Sequence, residues 1–265
     1  MTTYFERAVA RFRAARALDL GCDVSAFDSH ALTIVPKPET TRQPYVFAGM
    51  TFGTGTVLSV EPQYLDWVRE NAPEPHYRAI FPFAMFQPLV EEAARRGERL
   101  DPRFPNLGFL PGEPAREPVL PEGLAVRRID RAWREPLVES AEFDNALGTP
   151  GNAYVDSIWR FGVAIFDGEV PAAVAGGYDD GEGLIEIGVD VARAFRGRGL
   201  GEAIVRAIAA EIERAGAFAT YYCSPTNVRS HRTALACGFV PAVSGARVGR
   251  VSPPTQSWAR ASARA

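Results

Sequence analysis

The sequence EIGVDVARAFRGRGLG, residues 186–201, decides the fold of the C-terminal half of the chain. Its first six residues are rich in β-branched side chains and predict a strand that starts near Leu184. Its last six residues, RGRGLG, form a glycine-rich bend. Behind the bend, one face of a predicted amphipathic helix carries apolar residues at a spacing of four: Leu200, Ile204, Ile208 and Ile212. A strand, a bend and a helix therefore follow each other directly.

The bend predicts an anion-binding site. Its backbone N–H groups and the N-terminus of the following helix point to one place, where a negative charge is favoured. Gly197, Gly199 and Gly201 allow the backbone to approach a bulky phosphate, while Arg196 and Arg198 add charge-assisted contacts. The alternative interpretation of these residues is a turn that serves packing alone.

Two common phosphate-binding motifs do not fit the bend. A dinucleotide fingerprint would need a small residue at position 202 or 204, where the chain has Glu202 and Ile204. A P-loop would need a lysine after the glycines, and the only lysine of the chain is Lys37. The bend therefore belongs to neither of these classes of nucleotide-binding site.

The elements around this core alternate between strands and helices. Upstream, the sequence predicts a strand at 124–129, a helix at 132–142 and a hairpin of strands 161–166 and 170–178. Downstream, it predicts a strand at 218–223, a helix at 228–236 and a returning strand at 238–242. This half therefore belongs to the α/β (α+β) fold class.

The bend resembles the pyrophosphate loop of the GNAT acyltransferase superfamily. That loop is written Q/R-x-x-G-x-G/A, and Arg196, Gly199 and Gly201 occupy its defining places. Residues 186–191, just before the bend, look like the fourth strand of the family. The resemblance implies a mixed, mostly antiparallel sheet flanked by helices.

A second motif extends the resemblance beyond the bend. Asn227 and Ser230, followed by Gly238 and Phe239, are similar to the family's N-x-x-S/A and G-F positions. The likeness covers about residues 123–251. A narrower likeness links the stretch to GNAT proteins that include zwittermicin-resistance-type acetyltransferases.

The resemblance implies acetyl-CoA as the cosubstrate. In the family the fourth strand splays from the fifth, and its backbone, here at Val189 and Val191, bonds the pantetheine arm. Both valines fit an ordinary core strand equally well.

Asn227 is placed near the thioester, with a helix N-cap as its alternative role. Ser230 and Arg232 are placed near the cofactor's phosphates, with ordinary helix surface as their alternative. The bend residues implied as cofactor contacts are Arg196, Gly197, Arg198, Gly199, Leu200 and Gly201.

Acyl transfer to an amine requires a base that takes a proton from the ammonium group. Glu186 is the predicted base because it lies in the middle of the fourth strand, partly desolvated between Ile185 and Ile187. Some family members place this glutamate one position earlier, an offset that a β-bulge would absorb. The alternative is a sheet glutamate paired with an arginine. Asp190 is a weaker candidate base.

The departing thiolate requires a proton, which many family members take from a tyrosine four residues before the G-F glycine. The chain has Ala234 at that place. Tyr222 is the predicted replacement, with Tyr221, Cys223 or water as alternatives. As a nucleophile, Cys223 lacks a nearby histidine–acid arrangement, so a structural thiol is the preferred interpretation.

No metal site is proposed. His231 is expected on a helix surface, and neither His30 nor His76 has a metal-ligand spacing to it. The three cysteines contain no C-x-x-C and leave at least one thiol unpaired, which indicates a reducing compartment. We therefore expect a cytoplasmic protein.

The composition excludes several classes of protein. With 46% hydrophobic and 23% charged residues, the chain is that of a globular protein. A formal net charge of −3 lacks the positive field that non-specific nucleic-acid binding needs. No apolar run approaches the length of about 18 residues that spans a membrane. We therefore predict neither a nucleic-acid nor a membrane partner, and the oligomeric state stays open.

The N-terminal part predicts a second, mixed α/β unit without a chemical motif. Its expected elements are a helix at 4–18, strands at 31–36, 45–52 and 55–60, and helices at 63–70 and 88–96. Six prolines between Asp101 and Glu122 predict a linker that crosses the surface. The predicted domains are an acceptor-site or docking unit at 1–110, a linker at 111–122 and an acetyltransferase domain at 123–265.

These observations predict an N-acetyltransferase that transfers an acetyl group from acetyl-CoA to a primary amine by direct attack. The acyl group or acceptor could differ within the same fold. An alternative of another class is a non-catalytic acyl-CoA-binding module that presents a surface to a partner. The missing tyrosine at Ala234 favours the module, whereas Glu186 favours the enzyme. Small antibiotics, polyamines, amino acids and protein N-termini all fit as acceptors.

Overall fold

The computed structural model describes residues 2–41, 45–72, 86–139 and 142–250. In these ranges the α-helices are α1 (Tyr4–Leu20), α2 (Pro62–Asn71), α3 (Phe86–Arg95), α4 (Arg131–Val138), α5 (Asp144–Leu147), α6 (Ala153–Ile158), α7 (Leu200–Arg214) and α8 (Val228–Ala236). The strands are β1 (Leu32–Pro36), β2 (Phe47–Thr51), β3 (Thr56–Val60), β4 (Leu100–Pro111), β5 (Leu124–Arg128), β6 (Trp159–Asp167), β7 (Val170–Asp179), β8 (Leu184–Val191), β9 (Phe218–Cys223) and β10 (Phe239–Arg250). The predicted mixed α/β fold class is confirmed.

The chain divides into two compact units. Unit 1 comprises Met1–Ala15 and Asn106–Val243, and unit 2 comprises Arg16–Pro105 and Ser244–Ala265. Helix α1 and strands β4 and β10 therefore each contribute residues to both units. The expected domain boundaries at residues 110 and 123 stay a prediction. None of the helices described in either unit combines the length and apolar character that crossing a membrane requires.

The sheet of unit 1 is mostly antiparallel. Strands β5, β6, β7 and β8 are successive antiparallel neighbours. Strand β9 runs parallel to β8 and antiparallel to β4. All six strands expected in this half are present, and β10 continues to Arg250, well past the predicted end at residue 242.

Helix α7 covers one face of this sheet with the predicted apolar stripe. Leu200, Ile204, Ile208 and Ile212 are all buried, and they join a core with side chains of β6, β8 and β9. On residues 185, 187 and 189 of β8, the alternation of a strand turns apolar side chains toward this core. Burial of this stripe fixes α7 directly behind the glycine bend.

The opposite face of the sheet carries three short helices instead of the one predicted at 132–142. Helix α4 ends at Val138, two residues after Pro136, and its N-cap Asp130 accepts a hydrogen bond from the Trp133 N–H. The four-residue α5 and six-residue α6 follow. Helices this short contain less than two turns, so they show no periodicity in a sequence.

The prolines between residues 101 and 122 do not prevent a strand, so the linker predicted over the first part of this segment is wrong. Strand β4 includes Pro102, Pro105 and Pro111. Its pairing with β9 uses Leu107, Gly108 and Phe109, which lie between the prolines and retain their N–H groups. Residues 112–121 have no regular helix or strand.

Unit 2 contains the second mixed α/β arrangement. Strand β3 pairs in parallel with β1 and antiparallel with β2, and β2 pairs antiparallel with residues 244–248 of β10. Side chains from β2, β3, α2 and α3 form its core. Every helix and strand expected in this part of the sequence is present.

Candidate functional site

Strands β8 and β9 separate part-way along their length. Leu184, Ile185 and Glu186 pair with the first three residues of β9, up to Thr220. Beyond this point β8 continues beside β7, whereas residues 221–223 of β9 continue beside β4. A gap, here called the strand gap, therefore opens between residues 187–191 and 221–223. Backbone N–H and C=O groups at an unpaired strand edge are ready partners for an extended ligand.

The glycine bend has the backbone that glycine alone adopts easily. Gly197 and Gly199 have φ angles of +79° and +77°. A Cβ atom added to either would meet no other atom within 4 Å. The bend is exposed up to Leu200, which is buried and begins α7. The bend therefore presents open, exposed backbone at the N-terminus of a 15-residue helix.

The bend lies at the open end of the strand gap. Arg196 Nε donates a hydrogen bond of 3.2 Å to the carbonyl oxygen of Val191, the last residue of β8. A Cβ on Gly201 would lie 3.9 Å from Val191 Cγ2 and 3.9 Å from Thr233 Oγ1 of α8. The end of β8, the first turn of α7 and α8 thus meet at one place. Arg198 lies over the Phe195 ring, with 5.2 Å between Cζ and the ring centroid.

The residues predicted for the cofactor have structural partners as well. Val189 and Val191 are half-buried and pack against the core of unit 1, so their core role is confirmed. Asn227 is the N-cap of α8, because its Oδ1 accepts a hydrogen bond of 3.2 Å from the Ser230 N–H. The Ser230 hydroxyl is 2.8 Å from the Tyr221 hydroxyl. Their contacts with a cofactor stay predictions.

Glu186 lies at the point where the strands separate. It is the last residue of β8 that pairs with β9, and its neighbour on β7 is Tyr178. Ile185 and Ile187 are buried on the α7 side, so the Glu186 side chain points to the other face, where it is exposed. Ile185 and Ile187, from which partial desolvation was expected, therefore do not cover this carboxylate, and its role as the base stays a prediction. A strand alternates its faces, and the flanking isoleucines bury only the opposite one.

Tyr221 and Tyr222 point to opposite faces of β9. Tyr221 is buried in the core beside α8, and this burial raises its pKa, while the Ser230 hydrogen bond lowers it. Tyr222 is half-buried, and its ring centroid lies 6.3 Å from that of Phe12 in α1. Tyr222 and Glu186 therefore occupy the same face of the sheet. Ala234 is fully buried in the core.

The cysteines and His231 occupy packed positions. Burial raises the pKa of the Cys223 thiol, and it raises that of Cys237 to about 12. His231 Nε2 lies 3.1 Å from the Ser224 carbonyl oxygen, and its side chain is half-buried against Phe109, whereas an exposed position was expected. Across the residues that the structure describes, no three histidine, cysteine or acidic side chains are grouped to hold a metal ion.

Sequence reasoning missed the role of Asp190 on the Glu186 face. Its carboxylate accepts hydrogen bonds from α5, at Asn145 and Ala146. Burial raises the pKa of Asp190, while these hydrogen bonds lower it. No sequence signal could have found this arrangement, because α5 has four residues and lies 45 positions away along the chain.

The acetyltransferase (GNAT) family model matches residues 128–239. These residues span β8, the glycine bend, α7, β9 and α8, which together form the strand gap and its open end. Residues 128–239 are therefore a domain of the GNAT acetyltransferase family.

Solved structures of the family resemble the chain at low identity. A GNAT-family structure from Novosphingobium aromaticivorans DSM 12444 is 18% identical, with 58% of this chain and 68% of that chain covered and a TM-score of 0.46. A GCN5-related N-acetyltransferase from Kribbella flavida is 17% identical, with 94% and 98% covered and a TM-score of 0.49. The structure of yncA from Salmonella typhimurium, with its cofactor acetyl-CoA, is 15% identical, with 51% and 97% covered and a TM-score of 0.37. Among curated proteins, no relative matches the chain.

Proposed function

We propose that the chain is an N-acetyltransferase that transfers an acetyl group from acetyl-CoA to a primary amine. The observation that carries this proposal is the strand gap, which runs from Glu186 to the glycine bend. A long thioester with a polar phosphate end fits such a gap, because strand edges bond its amide groups while a helix N-terminus holds its phosphates. The GNAT family of residues 128–239 supports the same ligand.

In this proposal the bend binds the pyrophosphate. The N–H groups from Gly197 to Gly201 approach the phosphate oxygens, and Arg196 and Arg198 add charge. Backbone groups of Val189 and Val191 hold the pantetheine arm along β8. From the start of α8, Asn227 approaches the arm near the thioester and Ser230 approaches the phosphates.

The chemistry uses residues on the two sides of the separation point. Glu186 accepts a proton from the ammonium group, and the neutral amine attacks the thioester carbonyl carbon. The new C–N bond forms, the C–S bond breaks, and the departing sulfur takes a proton from Tyr222. The nitrogen of the new amide releases its second proton to solvent. Glu186 gives its proton to solvent, and solvent restores the proton of Tyr222. The exposed position of Glu186 allows a solvated amine to reach it.

A second candidate is a non-catalytic acyl-CoA-binding module. Ala234 favours it, since a methyl group buried in the core offers no proton where the family often has a tyrosine hydroxyl. The exposed Glu186 carboxylate beside the strand gap favours catalysis. The amine acceptor, the cytoplasmic location and the role of residues 1–110 at the acceptor site stay predictions.

Calorimetry with acetyl-CoA, followed by thiol release with a panel of amines, tests the proposal. The panel includes a polyamine, amino acids, an aminoglycoside and short peptides. We expect saturable binding and a thiol release that depends on one class of amine. Binding without release by any amine would favour the module. Absence of binding would contradict both functions.

A further inference from the structure

Helix α5 lies directly on strands β7 and β8. Gly176 and Gly188 are opposite each other on these strands. A Cβ atom on Gly188 would collide with the Asn145 carbonyl oxygen, and one on Gly176 would collide with the Ala146 carbonyl oxygen. This glycine pair therefore allows the backbone of α5 to contact the backbone of β8 beside the strand gap.

Asp190 fastens the first residues of α5 to β8. Its Oδ2 accepts hydrogen bonds from the Asn145 N–H at 2.8 Å and the Ala146 N–H at 2.9 Å. Its Oδ1 accepts a hydrogen bond of 2.8 Å from Asn145 Nδ2. Both carboxylate oxygens are thus engaged by donors of one short helix.

Two further side chains hold the other end of α5. The Tyr178 hydroxyl donates a hydrogen bond of 2.8 Å to the Ala146 carbonyl oxygen. The buried Arg134 donates through Nε, at 3.0 Å, to the Leu147 carbonyl oxygen, and its Nη1 lies 2.7 Å from Asp156. Asp190 therefore completes a set of polar contacts at both ends of α5.

We propose that Asp190 is a positioning residue, which fixes residues 188–191 of β8 at the strand gap by binding them to α5. This inference rests on the proposed binding of acetyl-CoA in the gap. Residues 187–191 do not pair with β9, which pairs only with residues 184–186 of β8. Contacts with α5 therefore hold this part of β8 in place of a second neighbouring strand. A small displacement of the edge changes the direction of every N–H and C=O group that meets the cofactor, which weakens binding.

An exchange of the two polar side chains tests this role. In Asp190→Asn, the new amide oxygen can still accept from both backbone N–H groups, but its amide nitrogen faces the Asn145 amide nitrogen, and two donors meet. Adding Asn145→Asp restores a donor–acceptor pair with the same net charge. In each variant, acetyl-CoA affinity and amine acetylation are measured. The hydrogen exchange of the backbone amides of residues 145 and 146 is measured on the same proteins. Asp179→Asn, which removes a carboxylate at the end of β7, is the control.

We expect the single variant to lose acetyl-CoA affinity and amide protection, and the double variant to recover both. Asp190→Asn should weaken acetyl-CoA binding about tenfold and speed exchange of both amides, because the edge is no longer held. The double variant should recover affinity, turnover and protection to within about threefold of the wild type, with the pH–rate profile unchanged.

Three outcomes would overturn the proposal. The first is wild-type affinity and protection in Asp190→Asn. The second is a double variant that recovers protection without affinity or turnover, because the carboxylate itself would then be needed. The third is an Asp179→Asn control that loses as much affinity as Asp190→Asn. If the wild-type protein does not bind acetyl-CoA, the proposed function is contradicted. The exchange of the two amides still tests separately whether Asp190 holds α5 against β8.

Discussion

The two halves of β8 share one sequence pattern and have different surroundings. Residues 184–186 pair with β9, and residues 185 and 186 pair with β7 as well, whereas residues 187–191 keep only the β7 pairing in the described structure. The apolar alternation continues across the junction at Glu186. The difference arises from β9, whose residues 221–223 pair with β4. A strand edge becomes a candidate binding surface here because its neighbour turns away, and its own residues give no sign of the change.

Substitution of Glu186, at the junction of the two halves, should give the largest loss of activity. Glu186→Gln keeps the size of the side chain and cannot accept the ammonium proton, so we expect turnover to fall by about 10²–10⁴ near pH 7. Acetyl-CoA affinity should stay unchanged. The loss should shrink at higher pH, because the amine then deprotonates without a base. Thiol release measured with a saturating amine across pH checks both expectations.

A control for this change is Glu169→Gln, which removes an exposed carboxylate paired with Arg127 in the β6–β7 turn. It should leave turnover unchanged. Equal turnover of Glu186→Gln and wild-type protein near pH 7 would contradict the prediction. The base would then be another group, and the junction at Glu186 would have no special chemical role in β8.

The β9 side of the gap should give the next largest effect. Tyr222→Phe removes the proposed proton donor, so we expect kcat to fall by about 10²-fold, the lower end for a general acid. Tyr221→Phe removes the hydroxyl on the other face and its hydrogen bond to Ser230. That change should cost about 1 kcal/mol of stability and leave kcat close to wild type.

Rapid-mixing kinetics and denaturant unfolding separate these two tyrosines. A fall in kcat in Tyr221→Phe alone would assign the proton donor to the α8 face of β9. Unchanged kcat in both variants would leave water as the proton source.

A substitution in the glycine bend, at the open end of the strand gap, should give the smallest effect, a loss of acetyl-CoA affinity. Gly199→Val places a β-branched side chain at φ +77° and blocks the approach of phosphates to the backbone. We expect acetyl-CoA binding to weaken at least tenfold, about 1.4 kcal/mol. Calorimetry on protein whose fold is verified by circular dichroism measures this loss.

Gly216→Val is the matched control, because Gly216 has φ +76° just beyond the other end of α7 and equally open surroundings. It imposes the same backbone strain without touching the bend. The same affinity loss in both variants would mean that strain alone explains the effect of Gly199→Val.

Much of the fold follows from local patterns in the sequence. The alternation of β8, the four-residue spacing in α7 and the N-cap residue Asn227 each act within a few positions, so they predict elements with nearly the observed ends. Helices α5 and α6 were missed because less than two turns carry no periodicity. Strand β4 was missed because its prolines favour a loop by composition, while its pairing depends on β9.

The sequence by itself determined the glycine bend, the prediction that this bend binds phosphate, and the motifs that the GNAT family shares. These depend on backbone freedom and on residue types at fixed spacing, which a chain carries before it folds. Only the tertiary structure decided that Glu186 is exposed, that Tyr221 and not Tyr222 lies in the core beside α8, and that Asp190 is bound to α5. Burial and hydrogen bonding are properties of neighbours brought together from distant positions, and no local pattern records which neighbours those are.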